Sequence, residues 1–114
     1  MTLFRIFLVA AFAVNAVYTV ITGMNHGWNL VPIFFQDIAR MDWNGQFNVD
    51  FSSFLLLTGL WVAWRHDFRP AGIGLGLVAA FGGMLFLSTY LLITSFQVGG
   101  DVKSILLGER RAHQ

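Results

Sequence analysis

Between Ile6 and Met24, between Phe51 and Trp64, and between Ala71 and Gln97 the chain carries no Asp, Glu, Lys or Arg. Three uncharged, strongly apolar runs in 114 residues leave too little polar chain to enclose them in a soluble domain. A bilayer core of about 30 Å needs about 20 helical residues. Residues 3–23 meet that length directly, 71–97 exceed it, and 51–64 reach it only by extending backwards to about residue 46. The expected fold is all-α: a membrane three-helix bundle with spans of about 3–23, 46–64 and 71–97, and a tail over 98–114. The lipid bilayer is then the first expected partner.

The connectors carry their own signals. Arg65 to Pro70 is a short charged turn, and Pro70 suits the first turn of the next helix, where its missing N–H would be unpaired anyway. In the longer connector Phe34, Ile38 and Met41 recur at helical spacing, interleaved with Asp37, Arg40 and Asp42. That pattern predicts an interfacial amphipathic helix over about 32–43, between spans 1 and 2. Trp28, Trp43, Trp61 and Trp64 fall near the ends of the spans and read as interface anchors. Met1 to Val14 also resembles the charged start and apolar stretch of a signal peptide. Apolar residues continue to Ile21, and an uncleaved span is the expectation.

Three crossings place Arg5, Arg65 and Arg69 on one side, and Arg40, Lys103, Arg110 and Arg111 on the other. Three cations against four barely bias the orientation. The short basic turn favours residues 1–5 and 65–70 inside. Formal net charge is +1, which gives no basic field for nucleic acid. Cysteine is absent, which removes thiolate chemistry and Cys-ligated metals. His26, His66 and His113 have no metal-ligand spacing, so no metal, haem or other cofactor is expected. No catalytic triad or paired-carboxylate arrangement is legible, so the expected class is non-enzymatic.

Two constellations remain. Gly72, Gly76, Ala79 and Gly83 share one face of a continuous third helix, where small side chains allow another helix close approach. That face packs either on the other spans or on a partner. Asp50 lies inside the second span, where an ionisable group is costly unless paired or hydrated. Helical rise brings Gln46, Asn48, Asn15, Tyr18 and Tyr90 towards its level. Arg40 and Lys103, on the same side, are candidates to neutralise it. The carboxylate is read as a helix cap, an interhelical polar lock, or a site for a proton or small molecule.

Trp43-Asn44-Gly45-Gln46-Phe47-Asn48-Val49-Asp50-Phe51, Leu60 to His66 and Tyr90-Leu91-Leu92 together resemble small bacterial inner-membrane proteins with three predicted transmembrane helices and no assigned activity. The resemblance implies bacterial inner-membrane localisation and a site near Gln46 to Asp50. The expected role is association, as an accessory subunit or scaffold of a membrane complex or as a homo-oligomer. The competing expectation is binding or transport of a lipid, quinone or proton around Asp50.

Overall fold

The computed structural model describes residues 1–113, and these form six helices. They are α1 (Thr2–His26), α2 (Leu30–Ala39), α3 (Trp43–Arg65), α4 (Pro70–Gln97), α5 (Val102–Leu107) and α6 (Glu109–Ala112). Among the described residues there is no strand. By length and composition α1, α3 and α4 are each able to cross a membrane. The packing agrees with an apolar solvent. Among the described residues only Leu8, Val62, Ala63, Ala79, Ile105 and Ala112 are buried apolar residues, while large side chains such as Phe7, Phe54, Leu56 and Phe81 are exposed. Burial on this scale could not hold a soluble domain of this size together.

Local chemistry sets the helix ends. Asp42 is extended and its carboxylate accepts from the Gly45 N–H at 2.9 Å, capping α3. The cap therefore lies eight residues before Asp50, and Asp50 sits in the interior of α3 rather than in its first turn. Pro70 opens α4 as expected. The turn between them is tight enough to put Asp67 and Phe68 at φ 59° and 56°.

The third apolar run is helical on both sides of Gly83, but it is not the one continuous rod expected. Gly83 has φ 58° and ψ −145°, and it alone within α4 has non-helical angles. We call the two parts α4a (70–82) and α4b (84–97). A straight α4 would carry Tyr90 about 30 Å from Pro70. Instead the Tyr90 hydroxyl lies 2.6 Å from His66 Nε2, four residues before Pro70 in sequence. Contacts along α3 trace the reversal. Gly72 meets His66, Gly76 meets Gly59, Gly83 meets Phe51, and then Tyr90 is back beside Arg65. α4 is therefore a helical hairpin with its tip at the level of Phe51. Glycine permits the reversal because these angles lie outside the space open to L side chains.

The small residues are used inside the chain. A Cβ on Gly59 or Gly76 would stand 2.6 Å from the other's carbonyl oxygen, so α3 and α4a touch backbone to backbone. Gly72, Gly76 and Ala79 are all buried there. Gly83, expected on the same face, makes the bend instead. On the other side α1 runs antiparallel to α4b, with Arg5 at Ser95 and with Leu8 and Phe12 against the Ser88–Ile93 stretch.

The reversal also moves the tail. An odd number of straight crossings puts residues 98–114 at the end opposite the 65–70 turn. The hairpin returns them to it, and α5 and α6 pack over the end of α3. Arg5, Arg65, Arg69, Lys103, Arg110 and Arg111 thus gather at one end, and Arg40 alone lies at the other.

Candidate functional site

The densest polar arrangement is at this cationic end. Arg65, the last residue of α3, donates from Nε to the Ile105 carbonyl at 2.7 Å and from Nη2 to the Ser104 carbonyl at 3.1 Å. Its Nη1 donates to the Tyr90 hydroxyl at 3.1 Å. One guanidinium thus ties α3, α4b and α5 together, as its fork of rigid donors allows. The Tyr90 oxygen accepts from Arg65, which leaves its O–H to donate to Nε2 of a neutral His66. Burial, and then the neighbouring Arg65 charge, hold His66 below the usual histidine range, so the neutral form is favoured. Tyr90 also stacks on Phe86 and meets Trp61 edge-on.

The tail closes over this cluster. Trp61 Nε1 donates to the Leu106 carbonyl at 3.0 Å. Arg111 donates to the Trp64 carbonyl at 2.6 Å and lies over the Trp64 ring, 4.0 Å from its centroid. Arg110 and Arg111 both pair with Asp67 at 2.6 Å. The hydrogen bond from Arg110 holds the Asp67 carboxyl below the usual carboxylate range. Asp101 is likewise lowered, by the Ser104 hydroxyl that donates to it. At the start of α1, Arg5 donates to the Ser95 hydroxyl and carbonyl, both at 3.0 Å. These bonds fix a scaffold. Arg65 donates from Nε and from both terminal nitrogens to protein acceptors, which favours positioning over chemistry.

Sequence reasoning treats Arg65, His66 and the tail arginines as topology markers and misses their cluster. The Tyr90-Leu91-Leu92 signal touches it but points to the wrong end. Tyr90 is not near Asp50, because the Gly83 reversal carries it back along α3. Lys103 is at the cationic end and cannot neutralise Asp50, and Arg40 pairs with Asp37 at 3.4 Å.

The residues expected around Asp50 divide. Gln46, Asp50 and Ser53 line one cavity of about 570 Å³, together with Ile38 and Met41. Asn48 donates to the Phe34 carbonyl at 3.2 Å and ties α2 to α3. Gly45 lies against the Asp37 carbonyl at the same crossing. Asn15 bonds only to the Ala11 carbonyl of its own helix, and Tyr18 is 73% exposed. Asp50 is itself exposed and has no salt-bridge partner among the described residues. Of the four tryptophans, Trp61 and Trp64 hold the tail, and Trp28 and Trp43 are exposed at the other end, Trp28 covering Gly23. No group of three or more metal-ligating side chains occurs among the described residues. No family model, curated protein or solved structure matches the chain.

Proposed function

We propose that this is an integral membrane protein that acts by association, as an accessory subunit or scaffold of a larger membrane complex or as a homo-oligomer. One observation carries the proposal: Asp50 is exposed in the interior of a helix built to cross a bilayer. It lies fifteen residues, about 22 Å, from the Arg65 end. Phe51 beside it marks the tip of the α4 hairpin. A helix break frees backbone carbonyls and N–H groups, and hydrocarbon satisfies neither these nor a carboxylate. Asn15 and Tyr18 add polar groups on the outside of α1. A partner that supplies donors at this level removes all of these costs together.

In this reading α1 and α3 cross the membrane, the α4 hairpin re-enters from the cationic side, and α2 lies in the opposite interface. Six of the seven Lys and Arg residues then share one side, which the positive-inside rule makes cytoplasmic. The resemblance carried by residues 43–51 and 60–66 favours a bacterial inner membrane.

The chain has no native cysteine, so single-cysteine variants report cleanly. Ser53→Cys and Tyr18→Cys, treated with a thiol crosslinker in intact membranes, are expected to give a dimer or a larger adduct. Asp50→Asn is expected to fold and lose that adduct. A chain that stays monomeric and uncrosslinked at both positions sinks the proposal. A second reading, binding of a small molecule or proton at Asp50, is favoured by the cavity that Gln46, Asp50 and Ser53 share. It requires Asp50→Asn to keep the adduct and lose the bound species.

A further inference from the structure

A second cavity is unrelated to Asp50. It is a groove of about 770 Å³ between α1, α3 and α4b, walled by Phe4, Leu57, Trp61, Leu87 and Leu91, with Leu106 of α5 across its cationic end. Its volume is within the ~300–1,000 Å³ typical of ligand clefts. Its walls offer almost no polar partner. Thr58 is the single hydroxyl residue, and the Trp61 N–H is already given to the Leu106 carbonyl. Such a groove takes a hydrocarbon chain and cannot orient a polar ligand along its length.

The groove ends where the charge is concentrated. Two lining residues, Phe4 and Val102, are each followed directly by a cation, Arg5 and Lys103. Neither cation has a carboxylate partner among the described residues, but Arg5 is given to Ser95 and the Phe96 ring, which leaves Lys103. Around them this end carries Arg5, Arg65, Arg69, Lys103, Arg110 and Arg111 against Asp67, Asp101 and Glu109, six charges less three, or +3. The other end carries Arg40 against Asp37, Asp42 and Asp50, or −2. An apolar slot closed by a short amphipathic helix under a net positive field complements a molecule with an acyl chain and an anionic head.

We propose that the groove beneath α5 is a binding site for an anionic phospholipid, with an acyl chain against Leu57, Leu87, Leu91 and Leu106 and the phosphodiester beside Lys103. α5 is the selective element. It presents Leu106 to the chain and Lys103 to the head, and it is held in place by Arg65 and Trp61 through backbone carbonyls, leaving the Lys103 and Leu106 side chains exposed.

The test uses the full chain in a mild detergent, with phosphatidylglycerol and phosphatidylcholine of identical acyl chains titrated separately and read by native mass spectrometry and by melting temperature. Phosphatidylglycerol is expected to bind more tightly and to raise the melting temperature by selective binding to the folded state. Lys103→Glu, on an exposed position that the fold does not use, should weaken it by roughly fivefold or more, as expected for one cation near an anionic surface. Leu106→Glu, also exposed and keeping its backbone carbonyl, should abolish binding of the chain. Free glycerol phosphate should give no shift. Equal binding of the two lipids, an unchanged affinity in Lys103→Glu, or stabilisation by glycerol phosphate alone would each overturn the proposal.

Discussion

The two ends of the molecule are built from similar apolar helices and solve opposite problems. At the cationic end every helix that arrives is fastened by a directional bond. Arg65 reaches two carbonyls and a tyrosine, Arg5 holds Ser95, and Arg111 holds the Trp64 carbonyl. At the other end α1 runs on past the hairpin tip, with only Ala16 and Gly23 less than exposed beyond Phe12, and Asp50 and Tyr18 face outwards. Hydrophobic burial cannot distinguish the ends in a membrane, because lipid tails are as apolar as leucine. Hydrogen bonds and backbone contact therefore decide which end is self-sufficient. The cationic end is; the Asp50 end leaves its carboxylate without a side-chain partner among the described residues.

The most severe way to break the contrast is to separate the helices that both ends share. Gly76→Leu should cost more than about 3 kcal/mol, because a branched side chain there meets the Gly59 carbonyl rather than a movable side chain. A detergent melt should show loss of a cooperative transition, and a normal melt would mean that α3 and α4a do not touch. Gly83→Ala tests the hairpin itself and should cost about 1–3 kcal/mol for holding a residue with a Cβ at positive φ.

Arg65→Ala comes next and tests the fastened end alone. It removes three bonds from a charged donor and should cost about 3 kcal/mol, with the tail becoming sensitive to protease. Arg65→Lys should not restore it, since one ammonium cannot span three acceptors.

A milder probe is pH. His66 is held below its ordinary value in the folded chain, so the unfolded chain binds the proton first. Stability should fall as pH drops below about 6.5, the unfolded value, and level off once the folded pKa is passed. His66→Gln, which keeps an acceptor for Tyr90 without titrating, should flatten that part of the melting profile. Asp67 acts lower: its carboxyl is depressed, so its contribution is present above the unfolded aspartate value and is lost below it.

The smallest expected effect on stability is the most diagnostic. Asp50→Asn should leave the melting temperature of the monomer unchanged, because no described side chain bonds to it. A clear drop would show that the open end is held from within after all.

The helices are legible in the sequence because three uncharged runs admit little else, and the Pro70 start and the helix within the long connector leave local marks; the sequence points to Asp50 as a cap of α3, and the cap is Asp42. The reversal is not legible. Gly82 and Gly83 sit in a stripe of small residues that fits close packing equally well, and sequence cannot report that one of them has left-handed angles. That single residue turns the rest of the chain back towards the Arg65 end. With a straight third helix, Lys and Arg divide three to four; with a hairpin they divide six to one. Tyr90 changes ends for the same reason, which is why the polar cluster expected around Asp50 divides. Gly59 escapes notice because one glycine in an apolar run shows nothing until its counterpart, Gly76, is set against it. Arg65 looks like a helix-end charge, since its partners are backbone carbonyls forty residues away.

The bend at Gly83 has a consequence for how such a chain is made. In the proposed topology a translocating machine need carry across the bilayer only the stretch from about His26 to Asp42, with its single arginine. The hairpin has no hydrophilic segment to export, so it can be pushed in from the side of synthesis once α3 is in place. Arg65 finds its α5 carbonyls only after Ser104 and Ile105 have been made. In that topology a ribosome stalled before Ser104 would leave α3 and the hairpin inserted but without the bonds from Arg65 to α5.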